Sequence, residues 1–520
     1  MIWTFLVYLL ILLAIGVVAE RQTKDLSGFV LGNRQMGRWA TALSYEATAY
    51  SGWLMMGFPG RAFGRGLVAV WVGLACVLGD ALNWISIARR LRQETERLQA
   101  ITIPEYLDRK FPREGSRSVR VAASLAILLF MSLYLWSQFV AAGKAIATVT
   151  DVSYTTATIL SSAVILIYTF QGGYRAVVWT DAFQGVMMVI ALLMLPAICL
   201  YHIGGFSELQ QLLQQAASDA TTASDGTAIT GGHLAEWFAG LTGLALFSFL
   251  FEDAGVGAGF IGQPHICVRF MSIRNEKELR PAFYVSIISA LLMCGGAVLV
   301  GLVAHGWFRI APVADLAGPA ATTVAATADT AGRTLLHDAE EVLPRLAVAV
   351  LPDWLAGFVV SAIMAAIMSS AASYLISASS SLVQDVYHRL WRPQGSPREL
   401  LLASRLVTLS LGLAAMVMAL ATDPLDKESA VYYLVLSAWG GLAGSFAAPM
   451  VLSLYYRRMT RKGCLAGIVV GACSSVAWHN TPALASVAYE VIPSILLSAI
   501  AIVVVSEFSR PAVVSELPQL

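Results

Sequence analysis

Charge is what this chain has least of. Lys, Arg, Asp and Glu make up 13% of its 520 residues, and 34 basic against 33 acidic side chains leave a formal net charge of +1. That balance excludes the broad basic surface that a nucleic-acid partner or a polyanionic substrate needs. Close cysteine pairs are missing too. Cys76, Cys199, Cys267, Cys294, Cys464 and Cys473 are scattered through apolar segments, without the spacing of a zinc site or a redox motif, so packing is their expected role. The seven histidines show no metal-ligand spacing, and His265 in GQPH reads as structural. Alternating segments of about ten residues, the mark of a transmembrane β-barrel, do not occur. No basic residue precedes the first apolar run, residues 3 to 19, and no small-residue cleavage site follows it; it reads as a retained helix rather than a secretory signal.

What fills the chain is apolar: 57% of the residues are hydrophobic and the mean hydropathy is +0.69, far above soluble chains. Apolar stretches of roughly 18 to 25 residues recur from end to end, each able to cross a hydrocarbon core of about 30 Å as a helix. The expected fold is an all-α integral membrane protein with about thirteen transmembrane helices. They fall at 2–19, 40–60, 66–90, 119–147, 156–174, 180–202, 236–268, 281–308, 354–384, 400–421, 429–456, 463–479 and 488–507. Basic residues cluster after the odd helices: Arg21, Lys24, Arg34 and Arg38 after the first, a run from Arg89 to Arg117 after the third, and Arg269, Arg274, Lys277 and Arg280 after the seventh. Residues 203–235 hold Glu208, Asp219 and Asp225 with no Lys or Arg. The bias of basic loops toward the cytoplasm then places the N-terminus outside and the C-terminus inside, with Arg61 and Arg65 as exceptions. The stretch TLLHDAEEVLPRLAVAV, in the longest outer loop, reads as a short amphipathic helix lying on the bundle.

Two segments depart from plain apolar helix. SYEATAYSGWLMMGFPG, residues 44–60, combines a carboxylate, hydroxyls, glycines and a proline. A backbone can unwind inside a bilayer only where protein or a polar cavity satisfies its freed groups, so this composition suggests a discontinuous helix; close helix packing through small residues is the competing reading. Residues 361–385 carry Ser369, Ser370, Ser373 and Ser377, including hydroxyls at helical spacing. Hydroxyls and freed carbonyls together can supply the five or six oxygens that a hard monovalent cation needs, by analogy with other hard cations.

Those two segments, with ITIPEYLDRKF (101–111), YTFQGGYRAVVWTDAFQGVMM (168–188), GFIGQPHICVRFM (259–271) and YYRRMTRKGCLAGIVVGA (455–472), resemble the sodium:solute symporter family, in particular its proline-transporting members. The resemblance runs through nearly the whole chain in order. It implies a leucine-transporter-like 5+5 inverted-repeat fold with broken helices 2 and 7. Helix 1 and a cytoplasmic loop would occupy 1–39, the first repeat 40–202, an outer loop 203–235, the second repeat 236–456, and the last two helices with a cytoplasmic tail 457–520. The implied sodium site uses the carbonyls of Ala47, Tyr50 and Ala366 and the hydroxyls of Ser369 and Ser370. The implied solute pocket includes Ser51, Gly52, Trp53, Tyr134, Phe260, Gln263 and Pro264.

The chain also departs from those relatives. Ala49 stands where they have an aspartate, and Val256 and Phe260 replace their aromatic solute residues. Glu46, Glu252 and Asp253 fall within expected spans, where a carboxylate is expensive enough to suggest proton traffic, although pairing with an arginine or facing a vestibule would also account for each. Asp181 is expected to cap its helix or to gate, and Arg34 to pair with an acidic neighbour or to gate. Asp80, Asn83 and Lys144 read as interhelical contacts or interfacial anchors. The implied function is import of a small amino acid, proline foremost, by sodium-coupled alternating access, with no cofactor beyond the coupling ion. Its setting would be the lipid of a bacterial inner membrane and its working form a monomer. Proton-coupled or sodium-independent uptake of another amino acid is the alternative. A transporter-like sensor is a second one, disfavoured because the chain ends soon after the last helix with EFSRPAVVSELPQL. No nucleophile, base and oxyanion donor converge as an enzyme would need.

Overall fold

Two chemical facts shape the fold: long apolar runs, and small residues where helices cross. A computed structural model describes residues 1–20, 26–111, 117–171, 173–218, 234–238, 242–310, 327–328, 334–335, 338–424, 430–485 and 487–509. Apart from one two-residue antiparallel pairing, Thr327–Ala328 with Thr334–Leu335, its regular structure is helical.

Nine helical stretches among the described residues are long and apolar enough to cross a membrane. One of them, Arg38–Arg97, covers two of the expected spans. Other expected spans are helices that are shorter or less apolar, including Tyr154–Gln171 and Arg461–His479. The elements that matter below are α1 (Ile2–Glu20), α2 (Arg38–Gly52), α3 (Val70–Asn83), α4 (Ile103–Arg109), α5 (Ser118–Val149), α6 (Tyr154–Gln171) and α7 (Tyr174–Ile203). They continue with α8 (Gly243–Ala258), α9 (Pro264–Ser272), α10 (Leu279–Ile310), α11 (Val342–Val350), α12 (Asp353–Ser380), α13 (Pro397–Leu420), α14 (Val431–Tyr455), α15 (Arg461–His479) and α16 (Val491–Phe508).

Helix α12 is the axis of the bundle, packed by α1, α2, α5, α7 and α13. Its most apolar stretch is 89% buried, against 22% in α1 and 28% in α13 and α16. Composition explains the difference: α12 is built largely of Ala, Ser, Ile and Met, and small side chains let neighbouring backbones approach on every side. Helices α3 and α8 use glycine for the same end. A Cβ on Gly79 would strike the Gly257 carbonyl, and one on Gly257 the Ala75 carbonyl. Gly257→Val therefore destabilises the crossing by about 1–3 kcal/mol or more through overpacking, read as a lower thermal midpoint in detergent than wild type.

The expected amphipathic helix is present as α11, docked on the bundle through Val342, Leu343, Pro344, Leu346 and Ala347, which are buried.

Candidate ion and solute site

Helix α2 carries the first half of the site. Ser51 leaves the helix at φ 34 and ψ −167, and Gly52 returns to it; the chain then widens into a π turn over Trp53–Gly57. A non-glycine residue at positive φ stores about 1–3 kcal/mol, so its neighbours must hold it. The Ser51 hydroxyl lies 3.2 Å from the Tyr134 hydroxyl and accepts from the Trp53 amide at 3.2 Å. The Gly52 amide donates to Gln138 Oε1 at 3.0 Å. A Cβ on Gly52 would sit 2.9 Å from Ile367 Cγ1 and 3.0 Å from that same Oε1, so only glycine fits between α5 and α12. Gln138→Ala strands a buried amide and costs about 1–3 kcal/mol, to be seen as a drop in thermal midpoint together with weaker solute binding.

Helix α12 supplies the second half. Ser369 Oγ donates to the Ala47 carbonyl at 2.8 Å and lies 2.9 Å from that of Ala366. Ser370 Oγ reaches the Ala47 carbonyl at 3.4 Å and that of Thr48 at 3.1 Å. Four of the five sequence-named oxygens thus come together. The Tyr50 carbonyl instead accepts from the Trp53 amide, while Thr48, which sequence reasoning missed, joins through its carbonyl. All these oxygens are neutral and buried, which suits a hard monovalent cation.

Beside them lies a small cavity lined by Tyr50, Trp53, Tyr134, Val256, Phe260 and Trp439, among others. Trp439 Nε1 donates to the Val256 carbonyl at 3.2 Å and its ring meets Phe260 edge-on at 4.9 Å. The sequence offered one signal for it, an indole in the middle of an apolar helix, where its N–H must find a partner. Ser51 reaches this cavity through Tyr134. Gln263 does not line it; its amide donates to the Gly259 and Trp439 carbonyls. Pro264 lines a separate crevice with Thr102 and Ser381. Trp53 is covered in turn by Phe58, stacked at 5.0 Å, and by Tyr432 at 5.6 Å.

A model of the sodium:solute symporter family matches residues 29–471. The chain belongs to the sodium:solute symporter family. It is therefore a multi-pass membrane transporter and not an enzyme. The symporter is 34% identical over 507 residues to the sodium/proline symporter of Escherichia coli (strain K12), covering 97% of this chain and 92% of that protein. It is 34% identical over 496 residues to the high-affinity proline transporter PutP of Bacillus subtilis (strain 168), with 95% of each chain covered. Its fold is shared with a Na+-coupled sialic acid symporter solved in a substrate-bound outward-open state, at a TM-score of 0.75, 20% identity and 98% of both chains. It is also shared with Mhp1, a nucleobase-cation-symport-1 family transporter in a closed conformation, at 0.50, 14% identity, and 94% and 96% of the two chains.

The remaining polar residues of the symporter sort by their partners. Asp181 does not cap its helix: α7 begins at Tyr174, with Gly173 at the N-cap, so the carboxylate sits two turns inside. There its Oδ2 accepts from Ser44 at 2.8 Å, Thr48 at 3.1 Å and Arg269 at 2.9 Å. Arg269 is accordingly no loop residue but a buried one on α9. Counting basic residues after a span could not distinguish a solvated arginine from one committed to a carboxylate elsewhere in the chain. Arg34 makes no ion pair among the described residues; its guanidinium donates to the carbonyls of Thr95, Ala100 and Met271 at 2.8 to 2.9 Å, groups left open at helix ends. Glu252 is not buried and faces Arg61 at 3.7 Å. Asp253 lies on the same helix, its side chain outside the described residues. Glu46 has no arginine among the described residues; it touches Asp80 and accepts from the Ser286 hydroxyl.

Two charge clusters close opposite ends of α5. At its last turns, buried Lys144 holds Asp338 and Glu340, each at 2.9 Å, and so clamps the segment leading into α11. At its first turn, buried Arg120 meets Glu105 at 3.7 Å, Asp108 at 3.1 Å and Asp385 at 3.4 Å, while Arg461 also engages Asp108. The PEYLDR stretch, marked in the sequence by resemblance alone, supplies Glu105 and Asp108 to this cluster.

Proposed function

We propose that this symporter imports proline with sodium across a bacterial inner membrane. The observation that carries the reading is the convergence of the Ala47, Ala366, Ser369 and Ser370 oxygens beside an aromatic cavity. What supports proline in particular is 34% identity, along nearly the full chain, to proteins named as sodium/proline symporters.

Sodium would replace the Ser369 and Ser370 hydrogen bonds with ligation and so pin α2 against α12. Proline's ring would lie against Trp53, Tyr134, Phe260 and Trp439. Its carboxylate would find the Trp53 indole N–H, which is buried without a partner. Because one short segment, residues 47–53, serves both ligands, each favours the state that binds the other, and coupling follows from linkage. Val256 and Phe260, where the relatives carry other aromatics, give the pocket a looser wall. The finer architecture belongs to the same proposal: thirteen crossings, the N-terminus outside and the C-terminus in the cytoplasm, and inverted repeats over 40–202 and 236–456 interrupted at Ser51 and near 259–263. Sodium is the coupling ion, the monomer the working unit, and Lys144 and Arg120 mark the outer and inner ends.

The test is uptake of radiolabelled proline into proteoliposomes under a sodium gradient, a proton gradient or neither. Concentrative uptake is expected under the sodium gradient alone. Uptake driven as well by protons without sodium, or concentration of another amino acid but not proline, would overturn the reading.

A further inference from the structure

Eight carboxylates in the described residues are buried, and five of them have an arginine or lysine. Asp181 has Arg269, Asp385 and Glu105 have Arg120, Glu340 has Lys144, and Glu341 has Arg345, while Glu490 faces the His479 imidazole. Glu46 on α2 and Asp80 on α3 have none, although both are fully buried and their carboxyl groups touch. Ser286 on α10 donates to one Glu46 oxygen. The Tyr45 hydroxyl lies against Asp80 but is itself held by Asn83 Nδ2 at 2.9 Å. Glu46 Oε2 and both Asp80 oxygens receive no hydrogen bond of ordinary geometry. One turn along α2, the Tyr50 hydroxyl is also buried without one and interacts electrostatically with both acids. The Cys294 thiol also faces the pair, and Cys76 faces Tyr50; Arg269, on α9, is taken up by Asp181, Ser44, Thr48 and Ser373.

Two like charges in contact, away from water and from every basic side chain among the described residues, cannot both persist without a proton or a counter-charge. We propose that Glu46 and Asp80 hold a second sodium ion, completed by the hydroxyls of Ser286 and Tyr50 and separate from the oxygen set around Ser369. With one of the two acids protonated the group carries a single negative charge, which one monovalent ion balances, and its two carboxyl groups and two hydroxyls offer up to six oxygens. The pair is also mechanically connected to the solute cavity. Asn83, one turn after Asp80, accepts from the Gly262 amide at 3.1 Å, in the connection between Phe260 and α9. Losing the ion would leave a buried charge uncompensated between α2 and α3 and displace that connection.

The inference rests on the sodium-coupled reading, and its test is kept separate from proline: equilibrium binding of radioactive sodium to purified protein without amino acid. Two ions per protein are expected for wild type, and one for Glu46→Gln combined with Asp80→Asn. Ser369→Ala combined with Ser370→Ala also binds one, the other. In uptake assays the Hill coefficient for sodium falls from near two to near one in the carboxamide variant. Ser286→Ala, which leaves both acids in place, weakens one of the two binding events several-fold and serves if the double variant does not fold. One ion in wild type, two retained in the carboxamide variant, or proton movement in place of a second sodium would overturn the proposal. Two ions bound by a protein that fails to carry proline would leave it standing and overturn the proline reading instead.

Discussion

Replacing Arg269 by alanine lowers the stability of the folded symporter by about 3–5 kcal/mol, the range for removing one partner of a buried ion pair. Arg269 heads the fully buried side chains in size, and its donors join four helices. Nε donates to Ser44 at 3.2 Å, Nη1 to the His265 carbonyl at 2.6 Å, and Nη2 to Thr48 at 2.8 Å, Asp181 at 2.9 Å and Ser373 at 2.6 Å. Truncation would leave the Asp181 carboxylate in a dry interior with hydroxyl partners only. Thermal unfolding in detergent measures the effect, and the double variant Arg269→Ala with Asp181→Ala decides its cause. If the uncompensated charge dominates, the double variant unfolds at a higher temperature than Arg269→Ala alone. If the two unfold together, the loss lies in packing. Arg269→Lys keeps the charge but not the planar fork, so it recovers only part of the difference.

The other large effect falls on sodium. Ser369→Ala with Ser370→Ala removes two hydroxyl ligands, each worth roughly 1.5 kcal/mol to a charged partner. The sum of about 3 kcal/mol raises the sodium concentration for half-maximal proline uptake roughly a hundredfold. Ser373→Ala is the internal control. That hydroxyl serves Arg269 and Thr48 rather than the Ala47 and Ala366 carbonyls, so it alters stability and leaves sodium activation in place. An unchanged sodium dependence in the double variant, with uptake reduced for other reasons, would remove these serines from the ion site.

How much of this was written in the linear chain differs from residue to residue. The spans were legible because a bilayer demands uniform apolarity, a property of composition rather than of contact. The interruption at Ser51 was legible because hydroxyls, glycine and proline rarely share an apolar run without a backbone reason. Ser369 and Ser370 were singled out by the family resemblance, helical spacing having grouped them only with Ser373 and Ser377. Arg269 was not legible: its nearest relevant partners, Ser44 and Asp181, lie 225 and 88 residues away, and nothing local separates it from a loop arginine. Asp181 was misplaced because its helix starts earlier than the apolar pattern suggested, and of the two readings left open for Glu46, proton traffic or an arginine partner, the arginine is supplied elsewhere. Charge compensation between distant helices is the property that periodicity cannot carry.

The burial of α12 has a consequence for the symporter's relation to its lipid. From Val359 to Ile376 every residue is buried, so no acyl chain touches this stretch and bilayer thickness cannot act on it directly. Mismatch between protein and bilayer must be absorbed by tilt or local deformation at the lipid-facing helices, of which α1, α13 and α16 are the least covered. Reconstitution in lipids of increasing acyl length should therefore alter thermal stability while leaving half-saturating sodium nearly constant. A sodium dependence that tracked acyl length would mean that the helix carrying Ser369 is mechanically joined to the rim after all.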